Sequence, residues 1–334
     1  MPAKFTYDLA EHLTFRDRAV CERVRRIPRA ELCRHPRPNV KVRVIEDDQA
    51  FAFAYCLHIV AGIKQARDAG RRHVIILPAP NPNYALVAQM INALRLPCDH
   101  VHTFNMDEYA DQDGKTAPRD WRGGFQYWMW HDLFSQLDPA LKVPEKQIHF
   151  PSSDNVNDYS RMLADLGGAH LCYGGTGWCG HIAFFEPHLG IPYEHDLEGY
   201  LRLGTQIVDL HPITVCQNSL YGDAGGAGDW SWVPPKAASI GPADIAGAKL
   251  VSWWNGFRAG EGVWQRFITR LSLHGPVTPL VPASILQLFN TELTLSGFVA
   301  DDCSQDTYER RVPVGVTQHS ANWGQAKDLR PFNG

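Results

Sequence analysis

The stretch RRHVIILPAPNPNYALVAQMINALRL, Arg71 to Leu96, decides the fold class. Its apolar run VIILP is continuous and too short for a helix, which is the pattern of a strand covered on both faces. After a loop rich in proline and asparagine, NYALVAQMINALRL places Tyr84, Val87, Ala88 and Ile91 on one helical stripe. A doubly covered strand followed at once by a helix belongs to a parallel sheet, because parallel neighbours are joined by helical crossovers.

The same alternation extends in both directions. VKVRVIED, from Val40, alternates as a strand, and DQAFAFAYCLHIVAGIKQARDAG after it reads as a helix with Asp47 or Asp48 as N-cap and Gly70 as stop. HVHTFNMDEY is again a strand, running into polar residues. QIHF, AHLCYGG, ITVC and KLVSWW are further short apolar segments, separated by helical or loop stretches such as DWRGGFQYWMWHDLFSQL and GFRAGEGVWQRFITRL. This order predicts an α/β protein with a doubly wound, mostly parallel sheet and helices on both faces. Ligands of such sheets bind beyond the carboxyl ends of the strands, so TFNMDEY and GGTGWCGHIAFFEP (Gly174–Pro187) are expected to face one cleft. The Gly- and Trp-rich stretch from Tyr221 to Asp244 reads either as a lid over that cleft or as a surface loop pinned by its tryptophans.

Composition narrows the partners. The 334 residues carry 32 basic and 36 acidic side chains, a formal charge of -4, with no long block of one sign. That balance argues against a nucleic-acid groove or a polybasic membrane surface and leaves a small molecule as the expected partner. The first twenty residues are broken by charge every few positions, so they offer no apolar core for a signal peptide, and no run is long enough to span a membrane. The 8 cysteines are scattered without a CxxC pair, which suits reduced thiols; a cytoplasmic location is expected.

Two motifs carry chemistry. In FNMDEY, Phe104–Tyr109, the adjacent carboxylates Asp107 and Glu108 end a strand; in a half-buried cleft, like charge and desolvation would lift one of them toward the range of a general base. The same pair also fits a helix cap or a solvated turn. In GGTGWCGHIAFFEP, His181 stands just after Gly180 and can shuttle a proton at neutral pH, with Glu186 able to fix its tautomer.

Taken together, the two motifs resemble the glucosamine-6-phosphate deaminase (isomerase) family, in which FNMDEY is followed by a loop of the form GxGxDGHIAFNEP. The resemblance runs from about Val40 to Cys303, giving a deaminase-like α/β domain over 39–304, an N-terminal extension over 1–38 and a C-terminal tail over 305–334. It implies a modified Rossmann-like sheet, a sugar substrate, a homo-oligomer, and no metal or redox cofactor. It implies an activity that opens a pyranose ring, isomerises aldose to ketose and expels ammonia from C2. Carried over by residue, Asp107 moves the proton between C2 and C1, His181 serves ring opening, and Glu186 orients His181. Cys179 lines the catalytic cleft, while Glu108, Gly174, Gly175, Gly177 and Gly180 lie against the sugar.

Three departures fall on functional positions. Cys179 stands where the family has the loop aspartate. Ala79, Pro80, Asn81, Pro82 and Asn83 replace a Gly-Gly-Thr phosphate loop, so two N–H donors are gone, though Asn81 and Asn83 can still bond sugar hydroxyls. Leu220 in QNSLYG replaces an arginine, and Arg258 keeps one positive charge near the family's lysine. A substrate other than a 6-phosphate is therefore open. Two alternatives use the same fold: a 6-phosphogluconolactonase-like hydrolase, which expects a GHTASLFP-like sequence after the histidine, and a non-catalytic sugar-binding or regulatory protein. Zinc held by Cys179, His181, Glu186 and His188 is a further alternative, without a spacing pattern of known strength.

Overall fold

Strand β2, His73–Leu77, is buried along its whole length, and its side chains divide between two cores. Val74 and Ile76 join one hydrophobic cluster, Ile75 and Leu77 the other. The cause is the alternation of side chains along a strand: a run of five apolar residues must find cover on both faces. On one face the cover is the helices Asp48–Asp68, Tyr84–Ala93 and Phe125–Asp132; on the other it includes Val156–Asp165, through Tyr159 and Leu163. The expected stripe of Tyr84, Val87, Ala88 and Ile91 is the buried face of its helix. Asp47 caps the preceding helix by accepting from the Ala50 amide at 2.7 Å.

This computed structural model describes residues 7–81, 83–221, 226–257 and 262–303. The tail over 305–334 and Arg258 lie outside them. The other strands are β1 (Val40–Ile45), β3 (Val101–Asn105), β4 (Asp107–Ala110), β5 (Ile148–His149), β6 (Leu171–Gly174), β7 (Gln206–Asp209), β8 (Lys236–Ser239), β9 (Leu250–Asn255) and β10 (Thr291–Ser296). Seven form one sheet in the order β1-β10-β9-β6-β2-β3-β5, with every pairing parallel. The remaining three form an antiparallel sheet in the order β4-β8-β7.

Two segments depart from the sequence reading. ITVC, grouped with the short apolar segments, lies in the helix Pro212–Asn218, where Pro212 opens the first turn and the His211 ring accepts from the Ile213 amide. Within the stretch read as lid or loop, Lys236–Ser239 is strand β8. The residues before β1 pack onto the body: Val24 of helix Arg18–Arg25 meets Ile268 and Leu271 of helix Gln265–His274. Arg270 of that helix, fully buried, donates to the Ile27 and Ala300 carbonyls. Among the described residues no helix is long and apolar enough to cross a membrane.

Buried histidines make this fold acid-sensitive. Among the described residues His73 has no hydrogen-bond partner at either ring nitrogen, and burial, with His170 and Arg71 nearby, pushes its pKa down to about 3. Burial and His102 push His149 down to about 4. Both folded values lie below the unfolded value, so the unfolded chain binds more protons under about pH 6.5 and stability is lost as pH falls from there. Urea denaturation should give a constant midpoint from neutral to mildly basic pH and a falling one below about pH 6.5. His73→Phe should flatten part of that slope; an unchanged slope in the variant would contradict the assignment to this ring.

Candidate active site

Beyond the carboxyl ends of β1, β10, β9, β6, β2 and β3 lies a cavity of about 690 Å³. Asp107 and His181 both line it, so the two motifs do face one cleft. The chain reaches this position by changing sheets at Met106. The Met106 amide donates to Leu77 of β2 at 3.0 Å, and its carbonyl accepts from Ile240 beside β8 at 2.9 Å. Asp107 thus begins β4 at the seam between the two sheets.

The acidic pair is divided in function. The Glu108 carboxylate accepts from the amides of Tyr109 (2.8 Å), Phe125 (3.0 Å) and Gln126 (2.7 Å). It therefore caps helix Phe125–Asp132, whose N-cap residue Gly124 has no side chain to do so. Glu108 is not among the residues lining the cavity; its position is that of a cap. Asp107 has the opposite surroundings. It is buried, it faces the cavity, and no hydrogen bond reaches its carboxylate among the described residues. Burial and then the adjacent Glu108 charge push it well above the usual carboxylate range.

His181 is held from behind. Its Nδ1 lies 3.2 Å from Glu186 Oε2 and 2.9 Å from Thr214 Oγ1. The carboxylate assigns the proton to Nδ1 and leaves Nε2 on the side of Gly177. Glu186 is fully buried and also accepts from the His211 amide at 3.2 Å. Burial alone would raise its pKa; the His181 charge and hydrogen bonds from His181, Cys179 and Thr214 outweigh burial and hold it below the ordinary value. Cys179 Sγ donates to Glu186 Oε2 at 3.0 Å and lies 3.3 Å from His181 Nδ1. Burial, followed by the Glu186 charge, pushes the thiol well above its ordinary value, so at neutral pH it is a donor and not a thiolate. Neither Cys179 nor Glu186 lines the cavity; both stand behind the imidazole.

The loop that carries His181 is pinned. Asn255 Oδ1 accepts from the Thr176 amide at 2.9 Å, and Gln265 Nε2 donates to the Thr176 carbonyl at 2.7 Å. Gly174, Gly175 and Gly177 line the cavity. Gly180 does not; its φ of 93° makes the turn that delivers His181, and its carbonyl accepts from Ala283 at 2.8 Å. Asn81 and Asn83 line the cavity at the end of β2. Cys179, His181 and Glu186 bring one donor atom each within 4.8 Å of one another, a set able to hold a metal ion. His188 is not part of it and stacks on His211 at 5.9 Å. The hydrogen bonds among the three residues account for their positions without an ion.

Sequence reading did not find Thr214, which lies 33 residues from His181 with no local signal. Nor did it find the aromatic lining, which includes Phe51, Trp232, Trp254 and Phe257. The tightest constraint in the loop is Gly177: a Cβ there would stand 1.9 Å from His181 Nε2. Gly177→Ala must therefore displace the ring. We expect turnover to fall about 100-fold while the thermal midpoint changes little, since a shift of about 1 Å in a catalytic group has that effect. Wild-type turnover in this variant would show that the position of Nε2 is not critical.

Comparisons with known proteins bear on the family and the fold. No family model matches the chain. The glucosamine-6-phosphate deaminase of Lachnoclostridium phytofermentans is 30% identical over 215 residues, covering 63% of this chain and 79% of that protein. The enzyme of the same name from Rhodopirellula baltica is 26% identical over 279 residues, covering 81% of this chain and 97% of the relative. Among solved structures, a monomeric glucosamine-6-phosphate deaminase superposes with a TM-score of 0.64 at 20% identity, over 78% of this chain and 98% of that one. The 6-phosphogluconolactonase of Thermotoga maritima shares the fold with a TM-score of 0.53 at 16% identity, over 77% of this chain and 99% of that one. By sequence relationship the chain belongs to the glucosamine-6-phosphate deaminase family.

Proposed function

We propose that the protein is an isomerase and deaminase of amino sugars. The observation that carries this reading is the open carboxylate of Asp107 and the backed imidazole of His181 facing one cavity. His181 Nε2 takes the proton of the C1 hydroxyl and delivers it to the ring oxygen, which opens the ring to an aldehyde. Asp107 removes the C2 proton, acidified by the adjacent carbonyl, while one proton of the C2 ammonium passes to the carbonyl oxygen, and an enol bearing the C2 amine forms. Return of the proton to C1 leaves an iminium at C2, which one water converts to the ketone with release of ammonium. Each proton removed by a side chain is returned by it, so the two groups regenerate within a cycle.

The hydrolytic alternative is less well supported. HIAFFEP places Glu186 behind His181, whereas the lactonase type expects a different sequence there, and lactonase-like structures share only the fold. A cytoplasmic homo-oligomer is part of this reading, supported by the scattered cysteines and the family resemblance. Light scattering of the purified chain tests its oligomeric part.

Solvent deuterium tests the chemistry. Asp107→Asn keeps the shape and cannot accept the proton, so exchange at C2 should fall at least about 100-fold with binding retained. Because the base must be ionised and its pKa is raised, wild-type exchange should fall on acidification through a pKa above the usual carboxylate value of about 4. Undiminished exchange in the variant, or an acid limb at about 4, removes Asp107 from this role. Cys179→Ser replaces one donor to Glu186 by another and should keep turnover within about threefold of wild type. Loss of all turnover there, or a covalent substrate adduct on Cys179, would instead make the sulfur a nucleophile.

A further inference from the structure

A helix N-terminus at the carboxyl edge of a parallel sheet is a ready anion site, because its amides lack partners. After β2 that site is already filled from within. The Asn81 side-chain Oδ1 accepts from the Asn83 amide at 3.0 Å, and the Asn81 carbonyl accepts from the Tyr84 amide at 3.1 Å. Pro80 and Pro82 have no N–H to offer. Asn81 oxygens thus stand where an anion's oxygens would bind.

The charge of the cavity points the same way. Asp48, Asp107 and Asp132 line it, and no lysine or arginine does among the described residues. A dianion would meet carboxylates in a partly desolvated space.

The cavity also extends well past the reacting groups. Asp107 follows β3 and His181 follows β6, while β9, β10 and β1 continue the sheet for three more strands. At about 4.8 Å per strand that adds about 14 Å of cleft. Its lining there is Phe51, Trp254, Phe257 and Phe298, with Trp264 stacked on Phe257 at 6.4 Å. Aromatic faces of this kind take the C–H face of a neutral sugar, and they offer nothing to a phosphate.

We propose that the substrate is an amino sugar without a phosphate, whose end remote from C1 and C2 is neutral and lies on this aromatic wall. The inference rests on the proposed isomerase and deaminase reading and specifies its substrate class.

Titration calorimetry of the full chain with glucosamine, glucosamine 6-phosphate and inorganic phosphate tests it. Glucosamine should bind at least as tightly as its 6-phosphate, and millimolar phosphate should not compete. Phe257, being exposed, can be changed without disturbing the core: Phe257→Ala should weaken glucosamine about tenfold and Phe257→Tyr should restore it. A preference for the 6-phosphate of about tenfold or more, lost in Arg258→Ala, overturns the proposal. So does failure of glucosamine to bind, or an unchanged affinity in Phe257→Ala. C2 exchange followed in the same samples separates the two readings: glucosamine that binds without exchange contradicts the reaction and leaves the substrate class standing.

Discussion

At Met106 one residue belongs to two sheets. Its amide completes the parallel ladder against β2, and its carbonyl accepts from Ile240 at the end of β8. The chemistry depends on this join. Had β3 simply ended in a loop, the carboxylate after it would sit in solvent with an ordinary pKa. Because the chain passes instead into β4, paired residue for residue with β8 from Asp107↔Ser239 onward, the Asp107 backbone is fixed and its side chain is buried. The same strand brings Ser239 to the Phe184 amide at 2.9 Å, tying the His181 loop to the second sheet. Both reacting groups are thus referred to one rigid frame.

Adjacent carboxylates would repel if both faced the cavity. The Glu108 charge still raises the Asp107 pKa, but Glu108 accepts from three amides, whereas no hydrogen bond reaches the Asp107 carboxylate among the described residues. Alternation along β4 sends the two side chains to opposite faces, so one caps a helix and the other stays available for proton transfer. A parallel economy governs His181. Glu186, Thr214 and Cys179 cluster at Nδ1, which leaves Nε2 for the cavity. Cys179 makes the group beside the imidazole a neutral hydrogen-bond donor, so among the described residues Glu186 is the one carboxylate at Nδ1.

The central sheet was legible because its signals are local. VIILP must be covered on both faces, and the stripe from Tyr84 to Ile91 has one face to cover, whatever the rest of the chain does. The second sheet was not legible. QIVD and KAAS are four residues each; KAAS becomes a strand by pairing with β4, a contact across more than a hundred residues, and QIVD by pairing with KAAS. ITVC has strand-like composition, and the decisive context was Pro212 and His211 just before it. Asp107, His181 and Glu186 were found through two short motifs. Glu108 was assigned to the sugar because it matches the family motif, with a helix cap as the alternative; which helix it would cap was not legible, since that helix starts seventeen residues later. Thr214 comes from the helix Pro212–Asn218, and the aromatic wall from helices and loops that follow several different strands, so neither has a signature in any single segment.

The central claim is that Asp107 and His181 act on the same sugar from fixed positions. The most direct measurement is a crystal structure with an open-chain amino sugar alcohol bound, which cannot turn over. The account predicts C2 against the Asp107 carboxylate and the O5 hydroxyl within about 3 Å of His181 Nε2. A sugar bound with C2 turned away from Asp107, or with the His181 ring facing only protein, would contradict it.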